Sequence, residues 1–407
     1  MGEIMKILQI NSVCGIGSTG RIAVDIHNLL MEQHFESYIA YGRGKPLHCN
    51  NVIRIGNNFD NYIHVLKTRI FDQHGCGSKR ATNEFIKEVI KLDPDIIHLH
   101  NIHGYYINIE ILFNFLKEFN KPVVWTFHDC WSFTGHCAYF DYIGCEKWKY
   151  GCNNCPQKRV YPRSNILDNS YNNYFKKKEL FNGVNKLMIV TPSLWLANIV
   201  QKSFLNKYPV KVINNGIDLN IFRPVKCKFR EKYNLNNKFV ILGVANVWDQ
   251  RKGLHFFVEL ANKISENDII ILVGLNETKL KNLPKNIICI PRTDNVEELV
   301  EIYSSADVFV NPSLEDNFPT TNLEALACGT PVITFNTGGS PECINNNCGY
   351  IVIKEDIEGL HNSIELIKNK GKIFYYENAI NRAHELFDKK RCFQKYINLY
   401  NVLLEKV

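Results

Sequence analysis

Short continuous apolar runs alternate along this chain with longer stretches in which apolar residues recur at helical spacing. Runs too short for a helix, and apolar at successive positions, read as parallel strands buried on both faces, and the stretches between them read as covering helices. A first set of strands is predicted at 6–11, 37–41, 96–100, 123–127, 188–191 and 210–213. A second starts at 239 and continues at 269–273, 287–290, 308–310 and 332–335. Between the sets lies NNGIDLNIFRP, 214–224, a turn-rich connector. Strand–helix alternation calls for parallel sheets with helices on both faces, and 407 residues exceed one ordinary core, so two α/β domains are expected. Ligands of open parallel sheets bind beyond the carboxyl ends of the strands, which is where candidate chemistry is sought.

PSLEDNFPTTNLEALACGTPV, 312–332, follows the run at 308–310 and sets Asp316 and Glu324 eight residues apart, across a loop that opens into a helix. Pro312 stops the strand, and Thr320 or Thr321 is a natural N-cap for the helix carrying Leu323, Glu324, Leu326 and Ala327. Gly329, with Pro331 after it, closes that helix. Such a start offers unpaired amides and a positive dipole end to an anion, and Glu324 can accept hydrogen bonds from ribose hydroxyls. A plainer reading makes Glu324 a first-turn charge and Asp316 a solvated loop residue. Upstream, KFVILGVANVWDQRKGL, 238–254, reads as strand, turn and helix start, with Arg251 and Lys252 in the turn and Gly253 permitting close approach. Two cations beside a helix start suit a diphosphate, although an Arg-Lys turn is more often solvated surface.

In the first half, CGIGSTGR places Gly15, Gly17 and Gly20 in the dinucleotide pattern, yet the second strand ends in Tyr41 and Gly42 rather than the acid that a nicotinamide cofactor's ribose requires. The loop reads instead as glycines that let backbone amides approach phosphates. Asp93-Pro94-Asp95 matches a metal-binding D-x-D but precedes its strand, at the edge away from a ligand, so no catalytic metal is expected. His98 and His100 share one side of their strand, His103 follows, and His128 ends the strand before Asp129.

These motifs resemble the signature of the glycosyltransferase 4 family, retaining enzymes of the GT-B fold, and the resemblance covers essentially the whole chain. It implies two Rossmann-like parallel-sheet domains facing a cleft. An acceptor-side domain would span 1–215 with an insertion at 129–170, a donor-binding domain 216–390, and a last helix, 391–407, would return to the first domain. Family members hold the donor with two glutamates separated by seven residues. The second falls on Glu324 and the first on Asp316, a shorter carboxylate, with Glu315 one residue off register as a substitute. Lys252 and Gly253 match the family's Lys-Gly pair, while Asn246 stands where the family has arginine and leaves Arg251 to supply that charge. Further donor contacts fall on Gly15, Gly17, Asn317, Phe318, Pro319, Thr320 and Thr321, with Arg292 where the nucleobase is seated. Read from its residues, GGSPE, 338–342, could approach phosphate or sugar through its glycines, while Glu342 could equally cap the next helix. His128 matches a position beside the transferred sugar, and His100, His103 and Asp129 fall on the sugar or acceptor side.

The implied reaction retains anomeric configuration by front-face attack, the leaving phosphate accepting the acceptor's proton, with no catalytic cofactor. The resemblance is strongest to a bacterial subgroup that builds exopolysaccharide and capsule, including colanic-acid-like pathways, from UDP- or GDP-linked donors onto lipid-linked acceptors at the inner membrane face. Two other classes stay open: a nucleotide-sugar epimerase of the same fold, and a non-catalytic nucleotide-sugar-binding protein, which the shortened Asp316 would suit.

A net charge of +7, dispersed along the chain, argues against a nucleic-acid binder and fits anionic lipid or phosphate. No apolar run reaches the length of a membrane span, and the chain runs straight into its first strand, so a cytoplasmic protein, peripheral at the inner membrane face, is expected. Trp148, Lys149, Tyr150, Arg159, Tyr161, Arg163, Tyr174, Phe175 and the lysines 176–178 are candidates for such contact, or a solvated face with scattered aromatics. Five of the fourteen cysteines, Cys130, Cys137, Cys145, Cys152 and Cys155, crowd the insertion. They read equally as a structural zinc set through Cys137, Cys145, Cys152 and Cys155 and as unligated buried thiols, or a disulfide in an oxidising compartment.

Overall fold

The computed structural model describes residues 4–275 and 283–405. Two compact units form, Met1–Ile213 with Phe393–Val407, and Asn214–Cys392. The first is built on β1 (Lys6–Val13), β2 (Glu36–Arg43), β3 (Val52–Arg54), β4 (Ile96–Leu99), β5 (Val123–Thr126), β6 (Leu187–Thr191) and β7 (Val210–Val212). Their order is β3-β2-β1-β4-β5-β6-β7, all parallel. The second unit holds β8 (Phe239–Val244), β9 (Asp268–Val273), β10 (Ile287–Ile290), β11 (Val308–Asn311), β12 (Val332–Phe335) and β13 (Gly349–Val352), in the parallel order β10-β9-β8-β11-β12-β13. Each sheet therefore reverses its strand order once, between β1 and β4 and between β8 and β11. Connections leave these two pairs in opposite directions, so a crevice opens beyond their carboxyl ends.

Central strands are buried on both faces because helices cover both: Leu8, Ile10, Ile97, Leu99, Val123 and Trp125 form one core with Phe113 and Phe181. The Trp125 ring lies 5.0 Å from Phe181 and 5.3 Å from Phe113. Val240, Leu242, Ile271, Phe309, Leu323 and Leu326 belong to the other core. Two strands depart from expectation. β3 and β13 were not anticipated, because each is a short, partly exposed edge strand without a continuous apolar run.

Gly216 belongs to the connector, where a Cβ would stand 2.5 Å from the Lys389 Cα. Ile217 donates its N–H to the Phe387 carbonyl at 2.9 Å, and Lys389 pairs with Asp218 at 2.8 Å. The last helix, Lys389–Glu405, begins in the second unit and continues in the first, where the Tyr400 hydroxyl meets His98 Nδ1 at 2.7 Å and the Tyr396 hydroxyl lies 3.2 Å from Thr126. Among the described residues no helix is long and apolar enough to cross a membrane.

Candidate functional site

At the β8/β11 crevice, two loops are joined by three bonds. Leu314 N–H donates to the Arg251 carbonyl at 2.8 Å, Arg251 Nη1 to the Glu315 carbonyl at 2.9 Å, and Lys252 Nζ meets Asp316 Oδ2 at 2.5 Å. Gly253, at φ +74°, lies where any side chain would run into the Pro312 carbonyl, which is why the Arg-Lys turn ends in glycine. Arg251 thus spends part of its guanidinium holding the second loop, whereas the ammonium of Lys252 faces a carboxylate. Of the two acids considered for the first position, Asp316 keeps a partly exposed side chain, while Glu315 is fully buried. Gly338 and Gly339 bear on this same residue, Gly339 N–H donating to the Asp316 carbonyl at 3.2 Å. Those glycines support Asp316 through its backbone.

The helix Thr320–Ala327 starts without a side-chain cap. Pro319 is its N-cap residue, so the expected cap by Thr320 or Thr321 is not formed, and both threonines are half-buried first-turn residues. Proline supplies φ −70° but no side-chain acceptor, so first-turn amides are left for another partner. At the other end Gly329, φ +74°, donates to Leu326 at 2.9 Å while Thr330 donates to Ala325 at 2.9 Å, a glycine-terminated reverse turn. Glu324 is almost fully buried and accepts the Tyr303 hydroxyl at 3.0 Å. Burial first, and the Glu324 charge second, raise the Tyr303 phenol well above its ordinary range, so it stays a donor. Phe318 belongs to the core, 5.9 Å from the Phe387 ring, so only its backbone is placed for a ligand. Asn317 and Pro319 are buried, and Arg292 is exposed just past the end of β10.

Behind the loop lies a buried polar network that the motif reading passed over. Asn311 Nδ2 donates to Asn322 Oδ1 at 2.8 Å, Asn322 Nδ2 to Ser340 Oγ at 2.9 Å, and Ser313 Oγ to Asn311 Oδ1 at 2.6 Å. Ser340 and Thr334 share a further bond at 2.6 Å. Satisfied networks of this kind fix a unique loop conformation. Its trace in the sequence is Asn and Ser flanking Pro312 and Asn322 amid apolar helix residues.

In the first unit the β1/β4 crevice is lined by imidazoles. Gln9 Nε2 donates to the Ala23 carbonyl at 3.0 Å, so its Oε1 accepts His100 Nε2–H at 3.0 Å. His100 Nδ1 is then the bare nitrogen and accepts His128 Nε2–H at 3.1 Å, with the two rings stacked 5.4 Å apart. Burial first, then neighbouring His98 and His128, push the His100 pKa well below normal. His128 falls to about 4, from burial first, partly countered by Asp129 and reinforced by His103. Neutral rings with assigned tautomers result. His103 Nε2 meets Asp129 Oδ2 at 2.9 Å, and its Nδ1 lies 2.8 Å from the Tyr161 hydroxyl. Asp129 is held low: burial alone would raise it, but His103 and the Trp131 N–H outweigh that. Gly15 (φ +72°) donates to the Gly20 carbonyl at 3.1 Å and lies against the Leu47 backbone, whereas Gly17 (φ +65°) opens the helix Gly17–Glu32 with clear space beside it. The D-x-D motif is engaged at the amino end of β4, Asp95 accepting the Lys6 N–H at 2.8 Å and Asp93 pairing with Lys121 at 2.7 Å.

Cys137, Cys145, Cys152 and Cys155 line one narrow space of about 10 Å³ with His136 and Trp148. All are free thiols, and among the described residues no three His, Cys, Asp or Glu side chains are arranged to hold a metal ion. The tetrahedral set considered above is therefore not assembled. Cys152 Sγ accepts the Gly135 N–H at 3.1 Å, and Cys155 is drawn down to about 7, chiefly by its hydrogen bond with Cys137. The supposed membrane-contact residues also separate: Trp148, Tyr174 and Lys177 are buried, and Tyr150 is exposed.

Two parallel sheets, each with loops gathered at its strand-order reversal, define a GT-B glycosyltransferase, and comparison with known proteins agrees. Residues 19–221 match the family described as Glycosyltransferase Family 4, and residues 225–385 match Glycosyl transferases group 1. The chain belongs to the glycosyltransferase 4 family and is a glycosyltransferase. It is 26% identical to a putative colanic acid biosynthesis glycosyl transferase of Escherichia coli, over 98% of this chain and 100% of that one. A UDP-Gal:alpha-D-GlcNAc-diphosphoundecaprenol alpha-1,3-galactosyltransferase of Escherichia coli is 26% identical over 50% of this chain and 54% of its own. Among solved structures, sucrose-phosphate synthase from Thermosynechococcus elongatus superposes with a TM-score of 0.73 at 18% identity, covering 99% and 100% of the two chains. Anabaena HepE in complex with UDP gives 0.69 at 16%, covering 98% and 100%, and these two likenesses speak to fold alone. Nothing in these matches favours an epimerase.

Proposed function

We propose that this enzyme transfers a hexosyl group, with retention of configuration, from a UDP- or GDP-linked sugar to a lipid-linked glycan in the assembly of a bacterial surface polysaccharide. The observation that carries the reading is the Lys252–Asp316 pair beside the uncapped start of the helix bearing Glu324. A diphosphate would take the Lys252 ammonium and the first-turn amides of Thr320 and Thr321, releasing Asp316 toward the sugar. Glu324, held by Tyr303, would accept the ribose hydroxyls. Arg251 would position the loop, Asn317 and the Phe318 and Pro319 backbone would border the donor, and Arg292 would face the base. In the first unit, His128 with His100, His103 and Asp129 would serve the sugar and acceptor side, and Gly15 and Gly17 would let backbone amides near phosphate.

The names of the two Escherichia coli relatives, one a colanic acid biosynthesis transferase and one acting on a diphosphoundecaprenol-linked sugar, support the surface-glycan setting and the lipid-linked acceptor. Transfer is read as metal-independent, with the leaving phosphate taking the acceptor's proton while the protein supplies orientation and charge. Any zinc would be structural, at Cys137, Cys145, Cys152 and Cys155, and requires Cys152 to turn from the Gly135 amide; metal analysis of the purified chain reads this. An acceptor carried in a bilayer calls for a chain that works peripherally at the membrane face.

The test is thermal melting of the full chain with UDP, GDP, ADP and their sugar conjugates. One nucleoside diphosphate should raise Tm, because a ligand bound only by the native state stabilises it, and Lys252→Ala should abolish the rise. No rise with any nucleotide, or an undiminished rise in the variant, would overturn the donor site.

A further inference from the structure

The helix Asn58–Phe71 is amphipathic in reverse. Its buried face carries Asn61, His64 and Thr68, all polar, while Phe59, Tyr62, Ile63 and Leu66 point outward at 70%, 73%, 49% and 59% exposure. Hydrogen bonds hold the inward residues at fixed positions. Asn61 Nδ2 donates to the Gly42 carbonyl at 3.0 Å, His64 accepts the Gly75 and Gly77 N–H groups, and Thr68 Oγ1 donates to the His64 carbonyl at 2.9 Å. Spacings of three and four residues among 59, 62, 63 and 66 make one continuous stripe. Folding does not bury this stripe, although apolar residues at helical spacing ordinarily face a core.

The insertion extends the patch. Asn165 N–H donates to the Arg69 carbonyl at 2.7 Å and Leu167 N–H to the Ile70 carbonyl at 3.1 Å, so exposed Ile166 and Leu167 are held beside the helix end and exposed Phe71. Cations edge it. Arg54 bonds Asn58 Oδ1, Lys67 and Arg69 lie on the helix itself, Lys158 donates to the Ile166 carbonyl at 3.0 Å, and Arg163 bonds Asn165 Oδ1 at 2.7 Å. The acids alongside are committed to the fold: Asp60 accepts the Asn57 N–H in a capping box, and Asp168 accepts the Cys155 N–H and the Ser170 hydroxyl.

We infer that this stripe is the surface by which the enzyme docks on an anionic lipid bilayer, Phe59, Tyr62, Ile63 and Leu66 entering the headgroup boundary and the surrounding cations meeting lipid phosphate. Charge decides between a bilayer and a second copy of this chain. A symmetric copy would bring the same cationic rim against itself, whereas an anionic surface complements it. The inference rests on the lipid-linked acceptor proposed above and names the surface that presents the enzyme to it.

The test is co-sedimentation of the full chain with vesicles of phosphatidylglycerol and phosphatidylcholine, against phosphatidylcholine alone, for wild type and for Ile63→Ser with Leu66→Ser. Wild type should bind the anionic vesicles, weaken on added salt, and lose at least tenfold in affinity in the double variant. The variant's Tm and its nucleotide-induced rise in Tm should stay unchanged, since both side chains are exposed. Absence of wild-type binding, or equal binding by the variant, would overturn the inference. So would a concentration-dependent dimer of the free protein that the double variant abolishes, which assigns the stripe to a second copy. Failure of the nucleotide shift in wild type would strike the proposed donor site and leave vesicle binding standing, so the two failures are distinguishable.

Discussion

The crevice between β1 and β4 gathers neutral imidazoles with assigned tautomers, whereas the crevice between β8 and β11 gathers full charges across two joined loops. Both follow from the same strand-order reversal, so topology sets where a site forms and leaves its chemistry to the loops. A buried imidazole that stays neutral keeps one donor and one acceptor nitrogen and adds no net charge beside a reacting sugar. An ammonium paired with the carboxylate of a loop that leads into an uncapped helix is suited to a diphosphate before any sugar is present. On the proposed reading, the charged crevice supplies donor binding and the neutral one acts on turnover.

The largest expected effect would break or sustain that division directly. Lys252→Ala should lower kcat/KM for the donor by about 10²- to 10³-fold, as loss of a preorganised charge typically does. It should also remove the nucleotide-induced rise in Tm. His128→Ala should instead lower kcat, by about tenfold or more, and keep that rise. If both variants move the same readout, the two crevices do not divide the work as argued. Glu324→Gln sharpens the point: it keeps the Tyr303 hydrogen bond but weakens an acceptor for ribose, so donor KM should rise more than kcat falls.

A smaller effect is expected at Gln9, which touches no reacting group and acts through His100. Its Oε1 accepts from His100, and that choice makes His128 the donor to His100. Gln9→Leu removes the constraint, so the His128 ring can populate its other tautomer. Nitrogen NMR of the histidine side chains should report that redistribution, with kcat reduced about tenfold and donor KM unchanged. A variant whose His128 signals match wild type would show that Gln9 sets nothing.

How much of this was legible beforehand varied with the kind of residue. The central strands were readable because burial on both faces leaves continuous apolar runs, and Lys252, Asp316 and Glu324 stood out as charges in the loops and helix start that follow such runs. Gln9 was not, since a single amide inside KILQINSV looks like a tolerated polar residue until its partner His100, 91 residues away, is known. Tyr303 was equally hidden, as its ring is core and only its hydroxyl serves Glu324. Thr320 and Thr321 misled because cap preference is a local statistic, and Pro319 took the cap position without the side-chain bond. Composition alone also nominated Trp148 and Tyr174 for a surface, whereas the exposed stripe lies on a helix whose apolar spacing suggested burial.

The contrast between the two crevices also predicts how stability responds to acid. In the first unit burial depresses His98 and His64 to about 3 and His128 to about 4, and holds His74 and His100 well below the ordinary value. The unfolded chain protonates these rings near pH 6.5, while the fold keeps them neutral to much lower pH. Between those limits the unfolded state binds more protons, so stability is complete above about pH 6.5 and falls as pH drops toward 4. Each ring contributes up to about 1.4 kcal/mol per pH unit in that window. His136 opposes them: Asp72 raises it despite burial, so its contribution is present below the unfolded value and is lost as pH rises through the folded one. One opposing ring against five leaves a net loss on acidification. Hydrogen exchange of the full chain, corrected for intrinsic rates, should show protection across 1–213 falling from pH 7 to pH 5. Unchanged protection there would mean that these rings take up protons without unfolding, and the neutral-imidazole side of the comparison would fail.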